Sequence, residues 1–157
     1  MGEPMKKPDL DAIDKKILMI LQENARTPIK DIANAVFLTS PAVSSRINRL
    51  VDDGYILGFH AQINGALLDY HIKAFINLDV SPEDKGEFYP YIKQCPNVVS
   101  CSCVTGDYSM LMEVQFPTTC DLDQFINELH RFGKTKTLIS FSTSIEHRGI
   151  KIDPEEE

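Results

Sequence analysis

The sequence lacks several features that would place the protein in a particular compartment or class at once. No apolar run approaches about 18 residues, so the sequence predicts no transmembrane helix and no membrane partner. No charged and then apolar leader opens the chain, and we expect no signal peptide. The four cysteines do not form the two close pairs that are typical of a zinc site. Free thiols in a reducing cytoplasm are the expected state.

Patterns that carry catalysis are also missing. The four histidines are scattered, and the sequence contains neither a nucleophile-base motif nor a glycine-rich phosphate loop. Cys101 and Cys103 fall on one face of a predicted strand, as a thiolate site would require. Two sulfurs without a nearby histidine or a second pair instead favour small buried apolar side chains. We therefore expect no enzymatic activity, no cofactor and no metal.

What the chain does contain is a stretch of residues, 27–50, that predicts two short helices joined by a tight turn. Each helix has its own start signal, a hydroxyl residue followed by proline. A connection of only a few residues is typical of a helix-turn-helix, whose second helix lies in the major groove of DNA. The residues that form the start signals are Thr27, Pro28, Thr39, Ser40 and Pro41.

The second helix of this pair has one apolar and one polar face. Val43, Ile47 and Leu50 recur at helical spacing and predict a core-facing stripe. An ordinary amphipathic surface helix has the same pattern. Short polar side chains opposite the stripe suit base edges, and nearby cations suit phosphates. The candidate base contacts are Pro41, Ser44, Ser45 and Asn48. The candidate backbone contacts are Arg26, Lys30, Arg46 (alternatively a brace within the helical domain) and Arg49. Thr27, Thr39, Ser40 and Ala42 complete the candidate DNA-binding set.

Flanking segments complete a small helical domain, residues 9–60. Apolar residues at helical spacing between positions 10 and 21 predict a first helix that shares a core with the other two. Gly54 is expected to end the third helix. Residues 55–63 predict an extended strand that covers the open side of the helices as a wing.

The second half of the chain, residues 67–150, follows strand periodicity interrupted by two helices. Alternation predicts a first strand over 72–80, a helix after Pro82, strands over 98–105 and 110–116, a second helix, and a last strand over 136–147. The order βαββαβ predicts a ferredoxin-like antiparallel sheet with helices on one face. The free face of this sheet is not purely polar, which is consistent with a dimer. Its apolar residues are Phe75, Leu111 and Leu138.

Together these blocks resemble the Lrp/AsnC, or feast/famine, family of transcription regulators. The similarity lies in Leu10-Asp-Ala-Ile-Asp-Lys-Lys-Ile-Leu18, Asn24-Ala-Arg26, the paired helices, Gly54-Tyr-Ile56 and Val104-Thr-Gly-Asp-Tyr108, and it spans residues 9 to about 148. The resemblance implies an α+β protein with an N-terminal winged helix-turn-helix and a C-terminal sensor domain. It also implies dimers that associate into tetramers or octamers, with a small metabolite such as an amino acid as effector. The implied effector-binding residues are Gly106, Asp107, Tyr108 and Ser109.

Two residues depart from the family pattern. Phe37 occupies the turn of the helix-turn-helix, where the family usually has glycine, a residue that adopts positive φ without strain. We expect either a differently shaped turn or a ring that is pinned by packing. Ser109 replaces an acid in the sensor loop. If that acid holds the ammonium group of an amino acid, this chain has a changed ligand or none, and the loop is then only a tight hairpin turn.

Charge is unevenly distributed and bears on how the chain binds DNA. Residues 1–60 carry eight basic and eight acidic side chains, so the whole net charge of −7 lies in residues 61–157. An acidic body repels phosphate, so binding must rest on local geometry and on several heads that engage together. Double-stranded DNA and further copies of the chain are therefore the expected partners, in the cytoplasm, with residues 61–66 as a hinge. The two termini are expected to be disordered.

Two other functions remain open from the sequence. Some proteins similar to this family are sirohaem decarboxylases, which carry histidine- and arginine-rich signatures in the wing and sheet. This chain has only Phe59-His60 there. The second alternative is a metabolite-sensing module that acts through proteins and does not bind DNA.

Overall fold

The computed structural model describes residues 9–153. Of the termini that were expected to be disordered, 1–8 and 153–157, all but Asp153 lie outside this range. The fold class is confirmed, as three helices precede a four-stranded antiparallel sheet with two helices. The elements are α1 (Ala12–Glu23), α2 (Ile29–Val36), α3 (Ser40–Asp52), a 3₁₀ turn (Gly65–Leu68), β1 (Ile72–Val80), α4 (Lys85–Lys93), β2 (Val98–Cys103), β3 (Met110–Phe116), α5 (Thr119–Leu129) and β4 (Gly133–Ser140). None of the helices within residues 9–153 has the length and hydropathy of a membrane-spanning segment.

Contacts divide the chain into two units. Residues 9–62 group with residues 145–153, and residues 63–144 form the second unit. The last segment therefore belongs with the helical unit, whereas the sequence-based division kept it in the second domain as far as residue 150. Two long-range hydrogen bonds join this segment to the helical unit: the Gln22 amide donates to the Ile150 carbonyl at 2.8 Å, and the Gln62 amide donates to Glu146 at 3.2 Å.

Helix starts in the first unit follow capping rules, with one difference from the sequence prediction. Thr39 caps α3 as expected, and its hydroxyl accepts a hydrogen bond from the Ala42 N–H at 3.4 Å. Thr27 was predicted to cap α2, and this is wrong. Its hydroxyl donates to the Asn24 carbonyl at 2.7 Å, and Pro28 occupies the cap position without a side-chain hydrogen bond.

The three helices enclose one apolar core, and Gly54 ends α3 at a positive φ of 77° as predicted. The segment after it differs from the prediction. Tyr55 and Ile56 pack against this core and donate backbone hydrogen bonds to Leu50, but no residue from 57 to 64 belongs to a strand. The predicted wing strand is therefore irregular chain, because no described strand pairs with it. The buried core residues are Ile17, Leu21, Ile32, Ala33, Val36, Val43, Ile47 and Leu50.

The sheet of the second unit has the strand order β2-β3-β1-β4 and is antiparallel throughout. One face packs against α4 and α5, and its core includes Ile76, Leu78, Phe88 and Met112. The last strand is shorter than the predicted 136–147. It ends at Ser140, which pairs with Lys73 near the start of β1. Only Ile72 of β1 lies beyond this pair, and Phe141, the next residue after Ser140, is fully exposed.

Strand β2 lies at an edge of the sheet, which changes the state of its cysteines. Cys101 and Cys103 are opposite Met112 and Met110 and so lie on the helix-facing side. Both thiols are nevertheless exposed, whereas the sequence predicted buried side chains. An edge strand is covered on only one flank, so its side chains are less completely packed than those of β1 and β3.

Candidate nucleic-acid interface and sensor loop

Helix α3 turns one row of polar side chains to solvent. Val43, Ile47 and Leu50 are buried in the core, as their spacing predicted. Ser45 and Asn48 lie on the opposite side and are exposed. A helix with this division can lay its polar face in a groove of DNA while the rest of the domain holds it from behind.

The other residues predicted to contact DNA differ in how far their side chains are exposed. Exposed residues are Arg26, Lys30, Thr39, Pro41, Ser45, Asn48 and Arg49. Partly buried residues are Thr27, Ser40, Ala42, Ser44 and Arg46. Arg26 lies in the turn before α2, where its backbone N–H donates to the Asn24 side chain at 3.0 Å. The structure therefore brings the start of α2 and the polar face of α3 to the surface, but it does not leave every predicted cation free.

Both arginines of α3 are committed within the helical unit. Arg46 donates to Asp14 at 2.8 Å and to Asp11 at 2.6 Å, and Arg49 donates to the second carboxylate oxygen of Asp14. Asp14 is only 1 % exposed, and it is the one buried charged side chain in residues 9–153. A carboxylate can be buried in this way only when it is paired and hydrogen-bonded. This geometry corresponds to the brace that was the alternative role of Arg46.

The acids of the brace also cap α1. The Asp14 N–H donates to the Asp11 carboxylate at 2.7 Å, and the Asp11 N–H donates to Asp14 at 3.3 Å, which is a capping box. Burial raises the pKa of Asp11, but the hydrogen bond from Asp14 and the pairing with Arg46 lower it more, and the net pKa is below its ordinary value. Hydrogen bonds to Asp11 and Asp14 raise the pKa of Arg46. The pairing therefore favours the charged forms of Asp11 and Arg46.

Sequence reasoning did not assign Asp14 a role, although a signal was present. Asp14 falls within the apolar stripe of α1 at helical spacing from Ile17 and Leu21, where a charge needs a partner. The partner could not be chosen from the sequence, because Arg46 and Arg49 lie 32 and 35 residues further along the chain.

The turn between α2 and α3 differs from both expectations stated for Phe37. Its backbone is left-handed, at φ 56° and ψ 41°, so the turn keeps the shape that favours glycine. Its side chain is 91 % exposed, so no packing pins the ring. The shape is set by the main chain, since the Leu38 N–H donates to the Ala33 carbonyl at 3.0 Å.

The predicted sensor loop forms the end of the β2–β3 hairpin. Gly106 and Asp107 are exposed, and Tyr108 is partly buried. The Ser109 hydroxyl accepts a hydrogen bond from the Val80 N–H at 2.8 Å and donates to the Val80 carbonyl at 3.0 Å. This hydroxyl is therefore occupied by the end of β1 and is not presented to a ligand.

A helix-turn-helix with a polar recognition face, followed by a separate ferredoxin-like domain, defines a DNA-binding regulator with a sensor domain. Comparison with known families agrees. A winged helix-turn-helix DNA-binding family matches residues 10–56, and the Lrp/AsnC ligand binding domain matches residues 73–150. The chain belongs to the Lrp/AsnC family of transcriptional regulators.

Curated relatives support this assignment over most of the chain. The regulator LrpA of Bacillus subtilis is 36 % identical over 131 residues, which are 83 % of this chain and 96 % of the relative. The regulator FL11 of Pyrococcus furiosus is 33 % identical over 118 residues, covering 75 % of this chain and 78 % of the relative.

Solved structures show the same fold at lower identity. LrpC of Bacillus subtilis has a TM-score of 0.82 at 22 % identity and covers 88 % of this chain and 99 % of its own. The regulator NMB0573 of Neisseria meningitidis, solved with L-methionine, has a TM-score of 0.81 at 24 % identity and covers 89 % of this chain and 94 % of its own.

Replacing Asp14 by asparagine should destabilise the helical unit, because two guanidinium groups would lose their shared countercharge. We expect the free energy of unfolding to fall by roughly 2–3 kcal/mol, less than for a fully buried pair because both arginines reach solvent. Urea denaturation followed by circular dichroism measures this change. Asp52→Asn, at an exposed position on the last turn of α3, is the control and should stay within about 0.5 kcal/mol of the wild type. Equal stability of the two variants would show that the pairing of Asp14 with the two arginines does not stabilise the helical unit.

Proposed function

We propose that this regulator reads DNA sequence through the exposed face of α3, with Ser45 and Asn48 at its centre and Pro41 at its N-terminal end. The observation that carries this proposal is the exposure of these three side chains, while Val43 and Ile47 are fixed in the core. An asparagine side chain can pair with both hydrogen-bonding groups that adenine presents in the major groove. Thr39, Ser40, Ala42 and Ser44 border this face at the start of the helix.

Contacts to the DNA backbone come, in this proposal, mainly from the start of α2. Arg26 and Lys30 are exposed there, and no side chain caps the helix, so its first N–H groups are open to a phosphate. Thr27 lies beside them. Arg46 acts as a brace, and Arg49, with 49 % of its side chain exposed, both braces α3 and reaches the backbone.

Replacing Asn48 by alanine tests the reading face. On a duplex selected by the wild-type protein from a random pool, we expect a loss of about 1–3 kcal/mol in binding and a relaxed preference at one base position. Lys30→Ala is the matched comparison, because loss of a phosphate contact weakens selected and random duplexes alike and reduces the salt slope by about 0.9. Titrations by fluorescence anisotropy at several salt concentrations measure both. Unchanged binding of Asn48→Ala to the selected duplex would contradict the proposed contact.

The regulator is further proposed to dimerise through the free face of its sheet. Phe75 is directly opposite Leu138, and Leu111 lies on the same face beside them. Leu138 and Leu111 remain partly exposed, and the Lys73–Glu113 ion pair, at 3.1 Å, borders this apolar centre. Two such faces would bury apolar surface against each other. A dimer would present two heads to half-sites about 34–36 Å apart, and association of dimers into tetramers or octamers would add more.

Replacing Leu138 by aspartate should convert the dimer to a monomer, since it would place a charge in the apolar centre of both copies. Lys93→Asp is the control, as Lys93 is exposed on α4, away from this face. Light scattering after size exclusion should give the mass of a single chain for Leu138→Asp and the mass of the wild-type oligomer for the control. An unchanged mass for Leu138→Asp, with circular dichroism showing an intact fold, would refute this interface.

The sensor domain is proposed to bind a small molecule at the loop of residues 106–109, though not an ordinary amino acid held by an acid at position 109. Structures of relatives with bound L-methionine support a small-molecule site in this domain. The Ser109 hydroxyl is engaged with Val80, and a neutral hydroxyl is a weaker partner for an ammonium group than a carboxylate. Asp107 is the remaining exposed acceptor of the loop.

Isothermal titration calorimetry of the protein against the common amino acids, methionine included, should show no tight, stoichiometric binding. Ser109→Asp restores the missing charge, and it should create or strengthen binding of at least one of them, because a carboxylate can accept both the Val80 N–H and an ammonium group. Tight binding of an ordinary amino acid by the wild-type protein would overturn this proposal.

We propose that the chain regulates transcription without catalysing a reaction, and that it does so in the cytoplasm with the chromosome. The support is its relatives, which are named transcriptional regulators. A visible tetrapyrrole spectrum after purification would instead favour the sirohaem decarboxylase alternative. Genomic footprinting without enriched sites would favour a sensor that does not bind DNA.

A further inference from the structure

Phe37 combines two unfavourable features in one residue. Its backbone lies in the left-handed region, which a bulky side chain rarely adopts. Its ring is 91 % exposed, so burial within the described chain does not compensate for the strain. Strained residues persist where the surrounding structure fixes them, and they are frequent at functional sites.

The direction in which the Phe37 side chain leaves the backbone is fixed by its neighbours. The N–H of Phe37 donates to the end of α2, and the next N–H, that of Leu38, donates to Ala33 at 3.0 Å. Val36 before it is buried, and Leu38 after it packs against the helical core. The chain therefore cannot rotate to bury the ring without breaking the end of α2. The ring is held outward, two residues before the N-cap Thr39 of the recognition helix.

The surroundings of the ring favour DNA over another protein as its partner. Asn34 and Thr39, the exposed residues that flank it along the chain, are polar, whereas protein-binding surfaces present contiguous apolar patches. The arginines of α3 are paired with Asp11 and Asp14, so the recognition helix has little unpaired positive charge with which to bind phosphates. An apolar contact with DNA would supply affinity that does not depend on charge.

We propose that Phe37 is a DNA-contact residue of this regulator and packs against apolar groups of the duplex beside the start of α3, either a thymine methyl group or a deoxyribose. The thymine methyl and the C–H surface of the deoxyribose are both apolar, and side chains such as phenylalanine contact the thymine methyl in the major groove. This inference rests on DNA binding by α3 but not on which bases Ser45 or Asn48 contacts. It adds a contact from the turn, at a position where the family usually has glycine.

Phe37→Gly tests the proposal, because stability and binding should change in opposite directions. Relief of the left-handed strain should raise the melting temperature of the full-length protein by about 2–4 °C. Affinity for a duplex selected by the wild-type protein from a random pool should fall roughly tenfold, the loss expected when roughly 60 Å² of apolar surface is no longer buried. The salt slope of binding should stay unchanged, since no phosphate contact is lost.

Two further variants separate strain from contact. Phe37→Asn also relieves the strain, because asparagine tolerates the left-handed region, and it should lose affinity as Phe37→Gly does. Phe37→Leu keeps an apolar side chain and the strain, and it should retain most of the affinity. Uracil in place of each thymine of the duplex distinguishes the two contacts. A site where this removes the effect of Phe37→Gly identifies the methyl group, and persistence of the effect at every site identifies deoxyribose.

Several outcomes would overturn the inference. If Phe37→Gly kept the wild-type affinity and raised the melting temperature, the backbone of Phe37 would be strained but its ring would have no contact with DNA. A loss of affinity accompanied by a changed oligomer mass would assign the ring to contact between copies of the chain. By contrast, a loss of affinity for Phe37→Gly together with unchanged affinity for Asn48→Ala would support the contact from the turn and contradict the proposed reading face.

Discussion

The structure of the DNA-binding head depends on one buried carboxylate. Asp14 receives Arg46 on one oxygen and Arg49 on the other, and both come from the recognition helix. Removal of either partner would leave part of that charge uncompensated in a medium where isolated charge is strongly disfavoured. The two arginines lie three residues apart and so turn one side of α3 toward α1. Ser45 and Asn48 precede them by one residue each, a rotation of about 100°, which directs them to solvent. The brace therefore sets which face of α3 a duplex would meet.

The same pairing makes it harder for an acidic regulator to attract the phosphates of DNA. The chain carries a net charge of −7, and the brace neutralises cations that the sequence offers to phosphate. Arg26 and Lys30 are left at the start of α2, where the helix dipole adds a partial positive charge. Few cations on each head imply weak binding by a single head and a shallow dependence on salt. Several heads on one assembly then gain affinity from their effective concentration without new contacts. Tight binding to DNA therefore requires both assembly through the sheet and recognition by α3.

Local features of the fold could be predicted from the sequence, and features that depend on distant partners could not. Periodicity gave the helices, the order of the strands and the core faces, because alternation and helical spacing are properties of neighbouring residues. The end of β4 was predicted seven residues too late, since it depends on the distant first residues of β1, where Ser140 pairs with Lys73. The prediction of a wing strand was wrong for the same reason, because its residues have the composition of a strand but no described strand pairs with them. The buried position of Asp14 could be inferred, but its partners could not.

The two departures from the family pattern concern different kinds of hydrogen bond. At Ser109 the side chain itself takes part, since its hydroxyl binds both polar groups of Val80, so a change of residue changes the bonding at the end of β1. At Phe37 the bonds are made by the main chain, through the N–H groups of residues 37 and 38. A residue that has a backbone N–H and adopts the left-handed conformation keeps these bonds, and among such residues only the strain and the exposed surface vary. A turn built in this way can gain or lose a surface contact without moving the recognition helix. The side chain at position 37 is therefore free to vary with the DNA that the head must recognise, while the brace at Asp14 is not.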